Sequence, residues 1–261
     1  MNRILIVLLF VVGYQSAFGQ GQLSPTAAPA PTMKSLSQIE PRTPISALPY
    51  TISTAGSYYL TTNTTCTTCT GGTNGITILV NDVTLDLSGF TLLRVAGSGS
   101  GVNGAGAGHN YIIRNGTLRN WCADGVNLSG SINSQFQSLR FYANANIGLA
   151  AGMGSVVVNC EAYSNTVAGF ELAGGEMSHC VAVRNGTGIV ASTGCVLDDC
   201  SARSNASAGF LLVGTGGEIS RCAAADNYAF GILTSSGCVV ADCTASGNGG
   251  DGINVGFGTL I

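Results

Sequence analysis

The chain has 261 residues, of which 38 are glycine and only 9% are charged, and its formal net charge is −3. So few basic residues argue against nucleic acid or an anionic membrane surface as a partner. Low charge together with 45% hydrophobic residues also argues against a largely disordered chain.

Residues 1–19 have the features of a secretory signal peptide. An apolar run follows Arg3, and small residues flank Phe18 in an A-x-A-like arrangement. We therefore expect cleavage before Gln20 and a secreted, periplasmic or cell-surface protein. No later stretch approaches about 18 consecutive apolar residues, so we expect no transmembrane segment after cleavage.

Residues 20–49 are rich in Pro, Ala, Ser and Thr and predict a flexible or extended linker. Residues 50–261 are then expected to form the folded domain. The chain stops directly after a complete repeat, so we also expect it to be a truncated member of a longer family.

The second half of the chain repeats at intervals of 20 to 22 residues. Each copy has an apolar residue three positions before a Cys, an Ala two positions after the Cys, an Asn five positions after it, and then a Gly followed by a large apolar residue. The cysteine column is Cys160, Cys180, Cys200, Cys222 and Cys243. The asparagine column is Asn165, Asn185, Asn205, Asn227 and Asn248.

Within each copy the side chains alternate with period two, which is typical of β-strands, and the helical period is absent. Gly and Asn separate the short strands. One such coil cannot bury its apolar face alone, so stacked coils must supply the core. Looser copies extend upstream through Leu139 and Gly116. The sequence therefore predicts an all-β solenoid, a single-stranded parallel β-helix of about eight coils of about 20–23 residues.

These columns resemble the pectate-lyase-like family of right-handed parallel β-helices. They resemble more closely an exported bacterial family of β-helix proteins with largely unassigned functions. The resemblance runs from about Glu40 to the C-terminus and includes segments 48–53 (LPYTIS) and 83–87 (VTLDL) with the repeats that follow. It implies the right-handed fold but no single activity, because the fold hosts lyases, hydrolases, epimerases, adhesins and scaffolds.

The asparagine column is interpreted as a structural ladder. We expect the amides of successive coils to hydrogen-bond along the stack, while each Asn takes the left-handed backbone conformation of a tight bend.

The cysteine column could form disulfides, bind a metal or pack in the core. Strands about 4.8 Å apart hold Cβ atoms farther apart than disulfides allow, and ligands strung along an axis do not converge on a metal. We therefore expect buried free thiols. Cys66 and Cys69 precede the repeats, and an oxidising compartment favours a local disulfide between them. No cofactor or metal site is predicted, although the sequence leaves calcium open.

The residue before each repeated cysteine forms an outward polar column, which comprises Asn159, His179, Asp199, Arg221 and Asp242. The candidate substrate-binding residues are four members of this column, His179, Asp199, Arg221 and Asp242, together with Asp198. A solvated face is the simpler interpretation, whereas a functional one is a grip on a sugar chain. The Asp198-Asp199 pair resembles the clustered aspartates of polygalacturonases, but that family's Asn-Thr-Asp and Arg-x-Lys elements are missing. The catalytic residues, if there are any, stay unknown.

Two further sets of outward residues are candidates for contact surfaces. The first contains an apolar stripe and comprises Glu171, Val190, Leu211, Leu233 and Asn254. The second consists of aromatic residues that could stack on sugars: Trp121, Phe141, Tyr142, Tyr163 and Tyr228.

A regular rod without a complete catalytic motif favours a non-catalytic polysaccharide-binding or cell-surface module, with a polysaccharide or cell-surface glycan as partner. The alternatives are a polysaccharide-active enzyme of the lyase, hydrolase or epimerase type, and a structural or adhesive rod.

Overall fold

The computed structural model describes residues 40–69, 71–95, 97, 99–104 and 106–260. The predicted signal peptide and most of the predicted linker lie outside these residues. From Arg42 onward the described chain forms one compact unit of parallel strands, without a helix. Each coil crosses three faces. This confirms the predicted all-β parallel solenoid and agrees roughly with the expected eight coils.

The first face carries one strand of every coil, and the register of these strands is continuous along the stack. Its strands are β1 (Thr43–Ile45), β3 (Gly56–Leu60), β6 (Val83–Asp86), the start of β9 (Tyr111–Arg119) and of β11 (Gln135–Tyr142), β13 (Ser155–Val158), β16 (Gly175–Ser178), β19 (Val196–Asp198), β22 (Glu218–Ser220) and β25 (Val239–Ala241).

The second face belongs to the same sheet as the first, which has 17 strands in the described part of the chain, because the long strands β9 and β11 continue from one face onto the other. Besides the ends of β9 and β11, its strands are β4 (Thr64–Cys66), β7 (Thr91–Arg94), β14 (Glu161–Tyr163), β17 (Val181–Val183), β20 (Ser201–Arg203), β23 (Ala223–Ala225) and β26 (Thr244–Ser246).

The third face is a separate sheet, to which the described residues contribute 10 strands. Its strands are β2 (Tyr50–Ile52), β5 (Ile76–Ile78), β8 (Val102–Gly104), β10 (Val126–Ile132), β12 (Ile147–Met153), β15 (Ala168–Leu172), β18 (Thr187–Ala191), β21 (Phe210–Leu212), β24 (Ile232–Thr234) and β27 (Ile253–Asn254).

The β-helix begins before residue 50, so the predicted boundary between linker and domain is wrong. Thr43 pairs with Tyr58 of β3, and Ile45 is fully buried in the core. Strand β1 tolerates Pro44, which lacks an N–H donor, because β1 lies at the edge of the sheet formed by the described strands. A Pro-rich composition therefore concealed a short strand.

The asparagines of the repeat stack inside the coil as an amide ladder. Asn165 Nδ2 donates to Asn185 Oδ1 over 2.9 Å, and the same oxygen accepts the backbone N–H of Asn165 over 2.9 Å. The pattern continues from Asn144 through Asn248. Five of these side chains are at most 1% exposed: Asn144, Asn165, Asn185, Asn205 and Asn227.

The left-handed conformation expected for these asparagines belongs instead to the residue before each of them. Ser164, Arg184, Ser204 and Asp226 have φ between 54° and 57°. The turn is therefore made one position earlier. It aims the Asn side chain at the interior, where the amides can stack.

The repeated cysteines form an interior column of free thiols. Cys160, Cys180, Cys200 and Cys222 are buried, and each contacts a backbone carbonyl oxygen through its sulfur. Outside this column, Cys66 and Cys69 form a disulfide. Since the thiol column faces inward, chemistry on the outer surface must come from other residues.

Candidate functional site

The predicted polar column lies at the bend between the first and second faces. His179, Asp199, Arg221 and Asp242 occupy it in successive coils with φ between 50° and 54°. The Nε2 atom of His179 lies 3.2 Å from Asp199 Oδ2, and both side chains are more than half exposed. Asp242 is exposed one coil beyond Arg221. This column is therefore first of all a row of backbone turns.

Asp198, the fifth predicted residue, ends β19 on the first face. Ser220 Oγ donates to Asp198 Oδ1 over 3.0 Å, and the Arg221 guanidinium donates to the other carboxylate oxygen. Desolvation acts to raise the pKa of Asp198, but the hydrogen bonds from Ser220 and Arg221 outweigh it and hold the pKa below its ordinary value. The carboxylate is therefore ionised at neutral pH, which makes it a poor proton donor.

Asp198 and Arg221 line an open depression of about 400 Å³ on the first face, and Glu176 and Glu218 also line it. The structure thus brings two of the predicted residues together with two carboxylates that the sequence did not single out.

A second depression, of about 350 Å³, lies on the second face between two columns of outward side chains. We call it the tyrosine–arginine groove. Its lining residues are Thr91, Thr117, Arg119, Arg140, Tyr142, Glu161 and Tyr163, and the buried Phe141 lies beneath them. Strand register makes the groove, because Arg119 pairs with Tyr142 and Tyr142 pairs with Tyr163 in adjacent coils.

The two tyrosines form one wall of this groove. Their rings stack with centroids 5.5 Å apart and planes inclined by 11°. Arg184 Nη1 donates to the Tyr163 hydroxyl oxygen over 2.6 Å, and the Arg184 guanidinium carbon lies 5.8 Å from the Tyr163 ring centroid. Stacking and this hydrogen bond fix the outer edges of the rings.

An exposed ion pair forms the opposite wall. Arg140 Nε lies 3.1 Å from Glu161 Oε2, and the two side chains are 69% and 57% exposed. The same pair borders a neighbouring depression of about 280 Å³, whose lining also includes Asn115, Ser138 and Asn159. The two depressions therefore meet at the Arg140–Glu161 pair.

The sequence-predicted aromatic residues divide into two groups. Trp121 and Phe141 are at most 1% exposed, so the suggestion that they stack on sugars is wrong. Tyr142 and Tyr163 come together in the groove, whereas the exposed Tyr228 lies in the bend after β23, outside the groove lining.

The sequence analysis did not identify the arginines of the groove, although the repeat contains a signal for them. Leu139 occupies the cysteine column, which places Phe141 in the inward alanine column. Arg140 and Tyr142 must then point outward beside Glu161 and Tyr163, as the register shows.

The outer side of the third face differs in charge from the groove. Its central outward column carries no Arg or Lys among the described residues. Val190, Leu211 and Leu233 pair in register and are half-buried, so the apolar stripe of the sequence forms a continuous row.

Two general features of the described residues bear on the site. No three His, Cys, Asp or Glu side chains among them are arranged to hold a metal ion. The described part of the chain also has no helix that is both long and apolar enough to cross a membrane.

The sequence matches the family described as right handed beta helix region over residues 51–220 and 191–259. The chain belongs to this family. The match confirms the right-handed fold that the resemblance implied. No curated protein matches the sequence.

Solved structures share the β-helix fold at low sequence identity. The A-module of a mannuronan C-5 epimerase from Azotobacter vinelandii is 15% identical with a TM-score of 0.65, over 82% of this β-helix chain and 70% of the epimerase chain. The Dettilon tailspike protein is 12% identical with a TM-score of 0.59, over 82% and 52% of the two chains. A pectate lyase is 16% identical with a TM-score of 0.53, over 78% and 70%.

Proposed function

We propose that this β-helix is an exported protein that binds polysaccharide along the tyrosine–arginine groove without cleaving it. The observation that carries the proposal is the placement of Arg119, Tyr142 and Tyr163 on consecutive coils of one outer face. An extended sugar chain running along the coil axis could contact these side chains in turn.

The chemistry of the groove suits a sugar chain. The ring edges of Tyr142 and Tyr163 offer apolar surface beside phenol hydroxyls, which matches the mixed character of a pyranose. Arg119 and Arg140 offer planar forks of N–H donors for hydroxyl or carboxylate oxygens. Because the rings are already stacked, little side-chain entropy would be lost on binding.

Two other observations support the proposal. The named substrates of two structural neighbours, mannuronan and pectate, are polysaccharides, although the likeness to these proteins is in fold alone. The apolar run after Arg3 supports export, which would bring the chain to extracellular or periplasmic glycans.

A glycan array followed by calorimetric titration tests this function. We expect Tyr163→Ala to weaken binding of a glycan that scores on the array by about tenfold, or about 1.4 kcal/mol. Tyr228→Ala is the matched control, since Tyr228 is 82% exposed and lies outside the groove. Equal binding by both variants, or no binding by the unaltered chain, would contradict the proposal.

A polysaccharide-active enzyme is the second candidate. It is favoured by the depression that Glu176, Asp198, Glu218 and Arg221 line on the first face. Reducing-sugar and unsaturated-product assays on the ligands from the array decide between the two. If the chain converts a ligand to product and Asp198→Asn abolishes this turnover, the protein is an enzyme rather than a binding module. Binding without product formation supports the non-catalytic function.

A structural or adhesive rod is the third candidate, and the row of Val190, Leu211 and Leu233 is the feature that favours it. Concentration-dependent self-association without glycan binding would support the rod and contradict the binding function.

A further inference from the structure

We infer that the tyrosine–arginine groove selects anionic polysaccharides and that Glu161 stands in for a ligand anion when the groove is empty. This inference rests on the proposed glycan-binding function. The observation behind it is the position of the Arg140–Glu161 ion pair, which borders both depressions of this surface.

The side chains around the groove carry more positive than negative charge. Arg119 and Arg140 line it and Arg184 holds its tyrosine wall, whereas Glu161 is the one acidic residue of the lining. Three guanidinium groups against one carboxylate leave a local excess of positive charge in a chain whose net charge is −3. Such a local excess attracts anionic ligands and disfavours cationic ones.

The Arg140–Glu161 ion pair is exposed to water. Glu161 contacts Arg140 through Nε at 3.1 Å, and both side chains are more than half exposed. Exposed pairs of this kind add little to folding stability, because water screens them. The contact can therefore be exchanged for another at small cost.

A ligand anion could replace the Glu161 carboxylate in its contact with Arg140. An incoming carboxylate or sulfate group would take the place of the Glu161 carboxylate on Arg140, since the guanidinium fork matches both groups. Glu161 would then turn toward water. A neutral glycan has no anionic group to make this exchange, so the Arg140 guanidinium would select ligands by charge while Glu161 competes with them for it.

The test compares Glu161→Gln with Glu171→Gln. Glu171 is an exposed acid on the third face, and replacing it changes the net charge by the same amount. Each variant is titrated with a carboxylated oligosaccharide, a sulfated one and a neutral one of equal length, and circular dichroism checks that it is folded.

We expect Glu161→Gln to bind the carboxylated or the sulfated probe about fivefold more tightly, because Arg140 no longer has a competing carboxylate. Its affinity for the neutral probe should stay weak, and Glu171→Gln should match the unaltered chain. A gain for one anionic probe alone supports the inference and identifies the anionic group.

Two outcomes would overturn the inference, and they separate it from the proposed function. In the first, neutral and anionic probes bind with equal affinity, the binding depends on Tyr163, and Glu161→Gln does not change it. This outcome would reject charge selection and leave glycan binding intact. A complete lack of binding by the unaltered chain to every glycan would reject both.

Discussion

The interior asparagine ladder and the outer tyrosine–arginine groove are built on the same coil repeat, yet they differ in regularity. In the ladder each coil supplies the same residue in the same contacts, as Asn165, Asn185 and Asn205 illustrate. In the groove successive coils supply different residues, such as Arg119, Tyr142 and Tyr163. The difference separates residues that hold the fold from residues that could recognise a ligand.

Among the variants considered, Gly188→Ala should cause the largest loss of stability, because it alters the interior of the coil. A Cβ atom at Gly188 would overlap the carbonyl oxygen of Gly209 and crowd the side-chain amide of Asn205. We expect a loss of about 3 kcal/mol in the free energy of unfolding, measured by urea denaturation. Gly252→Ala is the control in the same column, because its nearest contact would be Ala245 Cβ at 3.2 Å. Equal losses in the two variants would contradict the steric overlap inferred at Gly188.

Asn205→Ala should cause the second-largest loss of stability. Asn205 Nδ2 donates to Ala182 O over 3.2 Å and to Asn227 Oδ1 over 2.9 Å, and its Oδ1 accepts from Asn185. Removing the amide leaves several buried polar groups unsatisfied, so we expect a loss of about 2 kcal/mol. Thermal unfolding would detect it.

The control for the ladder is Asn254→Ala, because the Asn254 amide hydrogen-bonds Asp251 outside the ladder. A melting temperature unchanged by Asn205→Ala would show that the ladder is not a source of stability.

The thiol column predicts a pH effect of intermediate size. Hydrogen bonding to Cys180, with desolvation adding to it, raises the pKa of Cys200 from about 9 to about 12, and Cys200 acts in the same way on Cys222. Above pH 9 the unfolded chain loses thiol protons that the folded chain retains. Stability is therefore at its full value below about pH 9 and falls as the pH rises toward 12.

This effect can be measured by denaturant unfolding at about pH 8 and about pH 10. Cys200→Ala removes one of the shifted thiols, so its stability should fall less steeply over this interval than that of the unaltered chain. A steeper fall in the variant would contradict the assignment.

The smallest effect is expected at the outer bend column. Asp199→Asn breaks the exposed contact with His179, and such pairs change stability by less than about 0.5 kcal/mol. Urea denaturation of this variant beside Gly188→Ala would compare the two regions directly. If Asp199→Asn lost as much unfolding free energy as Gly188→Ala, the outer bend column would stabilise the fold as strongly as the interior, and the distinction between the two regions would be wrong.

The sequence predicted the fold well because the repeat constrains inward positions in every coil. Its columns located the asparagine ladder but assigned the left-handed bend to Asn165 rather than to Ser164, since spacing alone does not reveal which neighbour turns the chain. It also missed the strand at Thr43–Ile45, whose partner lies later in the chain.

The groove could be predicted only in part. Tyr142 and Tyr163 were noticed as aromatic residues. The burial of Trp121 depends on register that a looser upstream repeat specifies weakly, whereas the alignment of Leu139 with the cysteine column already places Phe141 inward. Arg140 contacts a residue 21 positions away, and its relation to Glu161 emerges once the coils are aligned.

Hydroxyl-radical footprinting with a bound oligosaccharide would show whether the tyrosine–arginine groove is the binding site, because it reports which tyrosines a ligand covers. We predict that an anionic oligosaccharide protects Tyr142 and Tyr163 from oxidation and leaves Tyr228 as reactive as in the free protein. Protection of Tyr228 alone, or equal reactivity of all three tyrosines with ligand bound, would contradict the assignment of the groove as the binding site.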